Sequence, residues 1–594
     1  MRIEPKDITL LLDAAMDRIP CDLAVRNTQY VNLFTGEIYP ASVYIHQGFV
    51  IFVDKDDERP PAHAPLETAD AEGRYIIPGY IDSHLHIESS MLTPRHFAAA
   101  SLPGGVTSVI HDPHELTNVF GEEAVEYFVE AAADLPQRQF ANIPSCVPSV
   151  PGLENAGAVI DADSVRRLAK LSGVIGLGEV MDYVGVINHS DRMMSIIEAA
   201  KESGLYLQGH LPVDDTRITA AYLIGGPRTC HESRTGQEAL NKMRAGMYVD
   251  TRESSMSKNL GTVWEALKDL PVRERMTFCT DDQEADDILE IGHLDEVVRK
   301  AIRIGIDPVE AIRSASLRTA EAANLENMGA VAPGYTADFQ LVDSLEEPRA
   351  HQVYTRGQRV AEERKLTEAI PHRSFPIEAI NSINLPELKL EDFALRVPDS
   401  LQDASETAVS IMEFPKLDSS YARLTREVLP IKDGCIDISS HPDLCYVTVM
   451  NRYGSGAVSH GLVKGFGLKQ GADASTISHD SHNLCVVYRD AESALASAEA
   501  LKACGGGIAA GLDGEVLETF PLPLGGLMSL ETAEETARRG QSMKRTMRKL
   551  GLEQENPLLR IATLCLIVIP EVKFSDLGLV DVRDQSLVEI FPEA

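Results

Sequence analysis

Hydrophobic residues follow three different patterns along the chain. Up to about residue 75, short strand-like runs such as CDLAVRN and SVYIHQGFVIFVD are separated by turn residues, which predicts a small β unit. From residue 76 to about 328, apolar runs alternate with helical stretches, which is typical of βα units around a parallel sheet. From about 377 to the end, the pattern predicts a second α/β region.

The central region contains eight strand-like runs: IIPGYIDSHLH, GVTSVIHDPHE, FANIPSCVPS, GVIGLGEVMD, LYLQGHLP, PRTCHES, MYVDTRES and RMTFCTDD. Eight βα units are typical of a (β/α)₈ barrel of about 250 residues. We therefore expect an α/β fold with a TIM-like (β/α)₈ barrel over 76–328. Residues 1–75 and the return strands of 329–376 are expected to form a small β domain from both flanks, followed by a C-terminal α/β domain over 377–594. Within the barrel, the run TGQE at 235–238 is a capping-box pattern that predicts a helix start.

Polar residues stand late in the predicted barrel strands. They are His84, His86, Asp112, His114, Cys146, Glu179, His210, His231, Glu253 and Asp281. The C-terminal strand ends of a barrel converge on one mouth. We therefore expect these side chains to surround a single site.

Part of this set has the chemistry of metal ligands. His84 and His86 are two residues apart in a strand, so their side chains point to the same face. Catalytic metal sites need about three to five protein ligands and an open position, so two imidazoles are not enough. Glu179, His210, His231 and Asp281 can supply the rest. Burying so many polar groups without partners would cost several kcal/mol, and a pair of cations is the simplest partner.

Composition narrows the range of partners and compartments. The chain has 594 residues, with 55 basic and 90 acidic side chains and a formal net charge of −35. Such a surface repels phosphate backbones, so we expect no nucleic-acid partner. Nine cysteines without a CxxC pair indicate a reducing compartment. The N-terminus lacks the apolar core of a signal peptide and no run is long enough to span a bilayer, so we expect a cytoplasmic protein without a membrane partner.

Longer motifs carry a family resemblance. The run PGYIDSHLHIESS resembles the first-strand motif of the amidohydrolase superfamily. The stretches GLGEVMDYVGVINHSDRM, FCTDDQEADDILEIGHLDEVVRKAI and FGLKQGADASTISHDSHN, with others, resemble the bacterial adenine deaminase family. The resemblance extends from about residue 23 to the C-terminus.

This resemblance implies a reaction and a set of functional residues. The implied reaction is hydrolytic deamination of adenine to hypoxanthine and ammonia with two divalent cations, Mn(II) or Fe(II), with Zn(II) as a further option. Glu179 is implied to bridge the two metals, and the implied metal ligands are His84, His86, Glu179, His210, His231 and Asp281. The implied catalytic residues are Asp281 as a proton relay, His114 close to the substrate, and Glu179, His114 and Glu232 as alternative relays. A homo-oligomer, such as a dimer, is the commoner state of such enzymes.

Three loops depart from the family's pattern. Residues 209–215 read GHLPVDD where the family has GHAPG, and residues 229–232 read TCHE where it has SDHE. Residues 252–260 read RESSMSKNL where the family has REGSAAKNL. The metal histidines are retained, but these loops are expected to line the substrate pocket. Another aminopurine or related amino-heterocycle therefore stays open as the substrate, and so does a non-catalytic protein that binds a purine or a metal.

A cyclic-amide hydrolase of the dihydroorotase or hydantoinase kind is disfavoured. Those enzymes generally have a lysine on the fourth strand, where this chain has Glu179.

Cys230, beside His231, is expected to be a packed residue rather than a reactive thiol.

The C-terminal motif SHDSHN places His479 and His482 three residues apart. It could form a further metal site. We favour a structural or active-site-lining loop, which Asp480 and Asn483 can pin through local hydrogen bonds.

Overall fold

The chain begins with one helix and five strands. The computed structural model describes residues 4–55, 61–417, 419 and 421–592. The first elements are α1 (Ile8–Ala15), β1 (Leu23–Val31), β2 (Ile38–His46), β3 (Phe49–Lys55), β4 (Glu67–Asp70) and β5 (Tyr75–Pro78). Asp7 starts α1, because its carboxylate accepts a hydrogen bond from the Thr9 amide at 2.9 Å.

Eight strands follow, and each of the eight predicted runs overlaps one. They are β6 (Tyr80–Leu85), β7 (Val106–His111), β8 (Arg138–Ile143), β9 (Val174–Val180), β10 (Tyr206–Gly209), β11 (Thr229–Cys230), β12 (Tyr248–Arg252) and β13 (Met276–Cys279). The strand pairs within β6–β10 and within β11–β13 are all parallel. A parallel bridge between Leu85 and Asp281 joins the β6 and β13 edges of the two sheets. The domain is an α/β, TIM-like fold.

Helices follow or interleave with these strands. They are α2 (Pro94–Ser101), α3 (His114–Phe120), α4 (Glu122–Ala132), α5 (Ala162–Leu168), α6 (Tyr183–Ile187), α7 (Asp191–Glu202), α8 (Thr216–Gly225), α9 (Gly236–Arg244), α10 (Leu260–Leu267), α11 (Ala285–Glu290), α12 (Leu294–Arg303), α13 (Pro308–Ser314) and α14 (Leu317–Ala322). Every residue of β6, β7 and β9 is buried, as expected for parallel strands covered on both faces. A polar side chain on these strands must therefore find its partner inside the protein.

The chain then returns to the N-terminal sheet. Strands β14 (Phe339–Val342), β15 (Ala350–Thr355), β16 (Gln358–Glu362) and β17 (Lys365–Leu366) give the order β17-β16-β15-β14-β5-β1-β2-β3, with β4 beside β1. Both flanks of the central domain thus contribute to one sheet. Strand β5 pairs with β14 and leads within two residues into β6, which fixes where the first central strand starts.

The C-terminal region contains a second large sheet. Its strands are β18 (Glu406–Glu413), β19 (Arg423–Lys432), β20 (Cys435–Ile436), β21 (Leu444–Met450), β22 (Val458–Lys464), β23 (Ala472–Ser475), β24 (Leu484–Tyr488), β25 (Gly507–Leu512) and β26 (Glu515–Pro521). All pairs are antiparallel except β18 with β22. The predicted second α/β region thus contains a mainly antiparallel sheet, because tight connections such as Asp513-Gly514 join neighbouring strands as hairpins.

Three further helices and a small sheet complete this region. They are α15 (Ala491–Cys504), α16 (Ala533–Lys549), α17 (Ala562–Cys565), β27 (Val572–Ser575), β28 (Gly578–Asp581) and β29 (Ser586–Val588). Helix α16 packs against α11, where Lys544 Nζ lies 2.5 Å from Glu284 Oε2 and 2.8 Å from Asp286 Oδ2. This buried ion pair helps to attach the C-terminal region to the central domain. A search of the described residues finds no helix with the length and apolar character needed to cross a bilayer.

Helix α9 begins where the capping pattern predicted. The Thr235 hydroxyl accepts a hydrogen bond from the Glu238 amide at 3.1 Å. The reciprocal bond of a capping box is not formed, because the Glu238 carboxylate accepts from the Arg234 amide at 3.0 Å instead. The same carboxylate lies 3.3 Å from the buried Lys242 amine.

Replacing Thr235 by alanine should remove this cap and lower the free energy of unfolding of the central domain by about 1 kcal/mol. The chain has a single tryptophan, Trp264 on the neighbouring helix α10, so its fluorescence during urea unfolding reports on this part of the fold. Thr235→Ser keeps the hydroxyl and should unfold like the wild type. Equal stability of all three proteins would contradict the capping role.

Candidate metal centre

The carboxylate of Glu179, at the end of β9, lies among four imidazoles. Its Oε1 lies 3.2 Å from Nε2 of His84 and 2.9 Å from Nε2 of His86. Its Oε2 lies 2.6 Å from Nδ1 of His210 and 3.4 Å from Nε2 of His231. The four histidines stand at or just beyond the ends of β6, β10 and β11. Side chains that are distant in sequence therefore meet at one carboxylate.

Asp281 joins the same cluster from the end of β13. Its Oδ1 lies 3.3 Å from Nε2 of both His84 and His86. The backbone holds it there, since the Asp281 amide donates to the His84 carbonyl at 3.1 Å. Asp281 has a φ of 54°, an uncommon conformation for a residue other than glycine and one that often marks a functional site. All six side chains that the sequence suggested as metal ligands are thus brought together.

Hydrogen bonds on the outer side of the cluster orient His84 and His86. Nδ1 of His84 lies 2.9 Å from Gln208 Oε1, and the Gln208 amide nitrogen donates to the Ser83 carbonyl at 2.8 Å. Nδ1 of His86 lies 2.9 Å from the Asp112 carbonyl. Both acceptors require a proton on Nδ1, which leaves the Nε2 lone pairs facing the carboxylates. Metal-binding histidines are commonly oriented in this way.

The chemistry of the cluster fits divalent cations. His84, Glu179 and Asp281 are at most 4% exposed. Within the described part of the chain, Nε2 of His210 and Nδ1 of His231 have no hydrogen-bond partner. Lone pairs of imidazoles and carboxylates that face each other in a buried space repel unless a proton or a cation lies between them. Several trios of these donors, such as His84, His86 and Asp281, have ligand atoms within 4.8 Å of one another.

The charges in the cluster shift the pKa values of its members. Burial works against the charged form of His84, but the Glu179 and Asp281 carboxylates outweigh it and raise the pKa of His84 to about 10, so a cation that binds at Nε2 would displace a proton. Burial also works against the ionised form of Glu179, yet His84 and His231 hold the pKa of that carboxyl well below its usual range. Glu179 is therefore ionised at neutral pH, as a metal ligand must be.

Arg252, at the end of β12, is a member of the site that sequence reasoning missed. Its Nη1 donates to Asp281 Oδ2 at 2.6 Å and to Glu232 Oε1. The sequence suggested Glu253 instead, but Glu253 pairs with Lys300 and accepts from the Leu260 amide. Successive side chains of a strand point to opposite faces. A difference of one residue in the strand register therefore places Arg252, instead of Glu253, in the site.

A pocket lies next to the cluster and is lined by two parts of the chain. The central domain contributes His86, His114, Glu179, Met181, His210, His231, Glu232, Arg252, Met256, Ser257, Asp281 and Asp282, and the C-terminal region contributes His479, Asp480, Thr563, Leu566 and Ile569. His114 lies 4.0 Å from Glu179 Oε1 through its Nδ1. Glu232 lies 3.7 Å from Nε2 of His231. The predicted catalytic residues therefore border the pocket as well as the cluster.

Two of the three departing loops line this pocket only through residues that the family's pattern retains. Cys230 is fully buried behind His231, and its sulfur accepts a hydrogen bond from the Leu211 amide at 3.3 Å. This contact agrees with the packing role favoured for Cys230. The third departing segment, 252–260, lines the pocket through Arg252, Met256 and Ser257. The other two segments contribute only the retained residues His210, His231 and Glu232.

The motif SHDSHN reaches the pocket from the C-terminal region. Asn483 fixes the loop, because its Oδ1 accepts from the Arg452 amide at 3.2 Å and its Nδ2 donates to the Asn155 carbonyl at 2.9 Å. Arg452 also donates to the His482 carbonyl at 2.5 Å. The predicted pinning role therefore holds for Asn483. Asp480 makes no such bond, since neither of its carboxylate oxygens accepts a hydrogen bond from any residue that the structure describes.

The TIM-like domain with histidines and carboxylates at its strand ends is that of an amidohydrolase, and residues 75–369 match the Amidohydrolase family. Residues 421–586 match the Adenine deaminase C-terminal domain. The chain is 36% identical over 586 residues to an adenine deaminase of Moorella thermoacetica, covering 98% of this chain and 97% of that protein. It is also 36% identical over 582 residues to an adenine deaminase of Desulfatibacillum aliphaticivorans, covering 98% of this chain and 99% of that protein. The chain belongs to the adenine deaminase family.

Among solved structures, a beta-aspartyl dipeptidase from Fervidobacterium islandicum AW-1 is 16% identical, with a TM-score of 0.45 over 59% of this chain and 98% of that chain.

Replacing Arg252 by methionine should lower the free energy of unfolding by about 3–5 kcal/mol, because two buried carboxylates lose their shared cation. Burial alone would raise the pKa of Glu232, but the Arg252 charge outweighs it and lowers that pKa to about 2. In the wild type, Glu232 therefore contributes stability above its unfolded pKa of about 4.3, and this is lost as the pH falls through about 2. Without Arg252 the pKa of this buried carboxyl should rise above the unfolded value, so the deficit of the variant should be larger at pH 8 than at pH 5.

Urea unfolding of metal-free protein, followed by Trp264 fluorescence at both pH values, measures this deficit. Arg244→Met, at an exposed arginine in the last turn of α9, serves as the control and should stay within about 0.5 kcal/mol of the wild type. A deficit that is independent of pH would show that Arg252 acts through packing rather than charge.

Proposed function

We propose that this protein catalyses the hydrolytic deamination of adenine to hypoxanthine and ammonia. One observation carries the proposal: six buried metal-type ligands converge beside a pocket in a chain that is similar to adenine deaminases over almost its whole length. A protein that only bound purine would gain nothing from such a cluster. The loops at 211–215 and Cys230, which left the substrate open, lie outside the residues that line the pocket. Met256 and Ser257, two positions at which the segment 252–260 differs from the family's pattern, do line the pocket, so the preference for adenine rests on the similarity to adenine deaminases.

We further propose that two divalent cations bind in the cluster. His84, His86 and Asp281 would hold one, His210 and His231 would hold the other, and Glu179 would lie between them. Mixed imidazole and carboxylate ligands suit Mn(II) or Fe(II), and Zn(II) is a further option. When bound, such cations lower the pKa of water towards about 7 and so supply a nucleophile at neutral pH.

The side chains of the pocket would transfer the protons of the reaction. The reaction replaces the exocyclic amine of adenine with the oxygen of water, so both water protons leave that oxygen. One ends on the departing nitrogen, which leaves as ammonia, and the other ends on the ring nitrogen N1 of hypoxanthine. Asp281, ionised because Arg252 and the neighbouring imidazoles outweigh its burial, can accept the proton at Oδ1. Glu232 shares the same arginine and lies in the same pocket, where it can pass a proton towards the leaving amine. His114 and Glu179 stay alternative relays.

We also propose a separate role for each domain of the chain. Residues 76–328 would carry the metal centre, and residues 377–594 would close the pocket. Residues 1–75 and 329–376 would form the small β domain that holds the start of the first central strand. We propose a homodimer on the basis of the family resemblance alone.

The purified protein loaded with Mn(II) or Fe(II) should release ammonia from adenine and form hypoxanthine. Asp281→Asn and Glu232→Gln should each lower kcat by about 10²-fold or more, since each removes a group that transfers protons. Coupled ammonia detection, with hypoxanthine measured by chromatography, checks both products. Asp269→Asn, at an exposed aspartate remote from the pocket, should retain wild-type activity. A metal-loaded wild type that leaves adenine unchanged would contradict the proposed reaction.

Gln208→Leu should weaken metal binding by about 10- to 100-fold, because it removes the acceptor that orients His84. Metal content after dialysis against a graded series of chelator concentrations measures the change without reference to activity. Gln139→Leu provides a matched buried glutamine of the central domain, whose amide donates to the Pro94 carbonyl away from the cluster. If both variants hold metal as tightly as the wild type, His84 is not a ligand in the way proposed.

A further inference from the structure

Asp480 is a buried carboxylate in the pocket for which neither the fold nor the metal centre has a use. It is 1% exposed and comes from the C-terminal region, on the loop that joins β23 to β24. Among the residues described, its Oδ1 is within ion-pair distance of His114 and His479 without a hydrogen bond, and its Oδ2 has no partner of either kind. A buried carboxylate oxygen without a donor is costly, so its presence beside a pocket points to a donor supplied by a ligand.

The surroundings of Asp480 are rigidly arranged. Its Oδ1 lies 3.4 Å from Nε2 of His114 and 3.8 Å from Nδ1 of His479. The loop is held by Asn483 and by Tyr453, whose hydroxyl donates to the Ser481 carbonyl at 2.6 Å. The loop is therefore fixed by contacts that leave Oδ2 of Asp480 free for a ligand.

Asp480 lies further from the metal centre than His114 does. The His114 ring lies between them, with Nδ1 facing Glu179 and Nε2 facing Asp480. Asp480 is thus about one imidazole ring further from the cluster than His114 is. The pocket is lined by the cluster and by Asp480, so a purine beside His114 whose amine-bearing carbon faces the cluster can extend its five-membered ring towards Asp480.

We infer that Asp480 accepts a hydrogen bond from the ring N–H of the five-membered ring of a free purine base, and so selects the base over its 9-substituted derivatives. The free base carries one N–H donor on that ring. A nucleoside or a 9-alkyl purine carries carbon at N9, which would leave the carboxylate buried without a donor. A site built to hydrogen-bond a donor strongly rejects an analogue that lacks it. The inference rests on the proposed function and adds the residue that sets its substrate class.

The trio of His114, His479 and Asp480 also has ligand atoms within 4.8 Å of one another, so a third cation is the competing occupant. Both purine binding and metal content must therefore be measured on the same variants. The product hypoxanthine and its 9-methyl derivative are suitable probes because neither requires turnover.

The test measures Kd for hypoxanthine and 9-methylhypoxanthine by titration calorimetry on the metal-loaded wild type, Asp480→Ala and Asp480→Asn. The wild type should bind hypoxanthine more tightly than the 9-methyl compound by at least about 10-fold, because the carboxylate makes a charge-assisted hydrogen bond. Asp480→Ala should weaken hypoxanthine binding by about 10- to 100-fold and bring the ratio of the two Kd values close to one. Asp480→Asn keeps a neutral acceptor, so its ratio of the two Kd values should lie between those of the wild type and the alanine variant. If the alanine variant does not fold, the asparagine variant replaces it in the test.

Asp473→Asn is the control, since Asp473 is a fully buried carboxylate of strand β23 that does not line the pocket. It should leave the ratio and the metal content unchanged. An unchanged ratio in Asp480→Ala would overturn the inference, and so would loss of a bound cation from that variant, which would assign the trio to a metal. If the wild type fails to deaminate adenine, the proposed reaction falls, but the ratio of binding constants still decides the role of Asp480.

Discussion

The contact of the Glu179 carboxylate with four imidazoles is the interaction on which the rest of the site depends. Two histidines face one oxygen and two face the other, all within 3.4 Å. The group is 2% exposed, so water does not screen these contacts. An arrangement of this kind needs a compensating charge, and the proposed divalent cations would supply it with the ligands already in place. The fold serves this contact, because the bridge between Leu85 and Asp281 brings the first and last central strands together next to Glu179.

The C-terminal region takes part in the site instead of merely adjoining it. His479, Asp480, Thr563, Leu566 and Ile569 line the pocket, and the ion pair of Lys544 with Glu284 and Asp286 helps to attach the region. The central domain alone would leave the cluster open on that side. Enclosure matters for this chemistry, since charged groups interact more strongly where water is excluded. The two parts of the chain therefore form one functional unit.

The sequence predicted the metal-type cluster well, because periodicity determines it directly. His84 and His86 share a face of one strand, and each remaining ligand follows a recognisable apolar run. The prediction from sequence was wrong where one residue of strand register decides which side chain enters the site, as with Arg252 and Glu253. The sequence could not predict that Asp480 lies against His114, since no local pattern links residues so distant in the chain. The capping pattern at Thr235 predicted the helix start, but local contacts with Arg234 and Lys242, each four residues from Glu238, redirected the Glu238 side chain.

The central claim is that two cations lie on either side of Glu179. Crystals of the protein grown with Mn(II), with diffraction measured at the manganese absorption edge, test it most directly. The account predicts two anomalous peaks beside this carboxylate, one among His84, His86 and Asp281 and one next to His210 and His231. Peaks elsewhere in the molecule with none at Glu179, after metal loading has been verified, would contradict it.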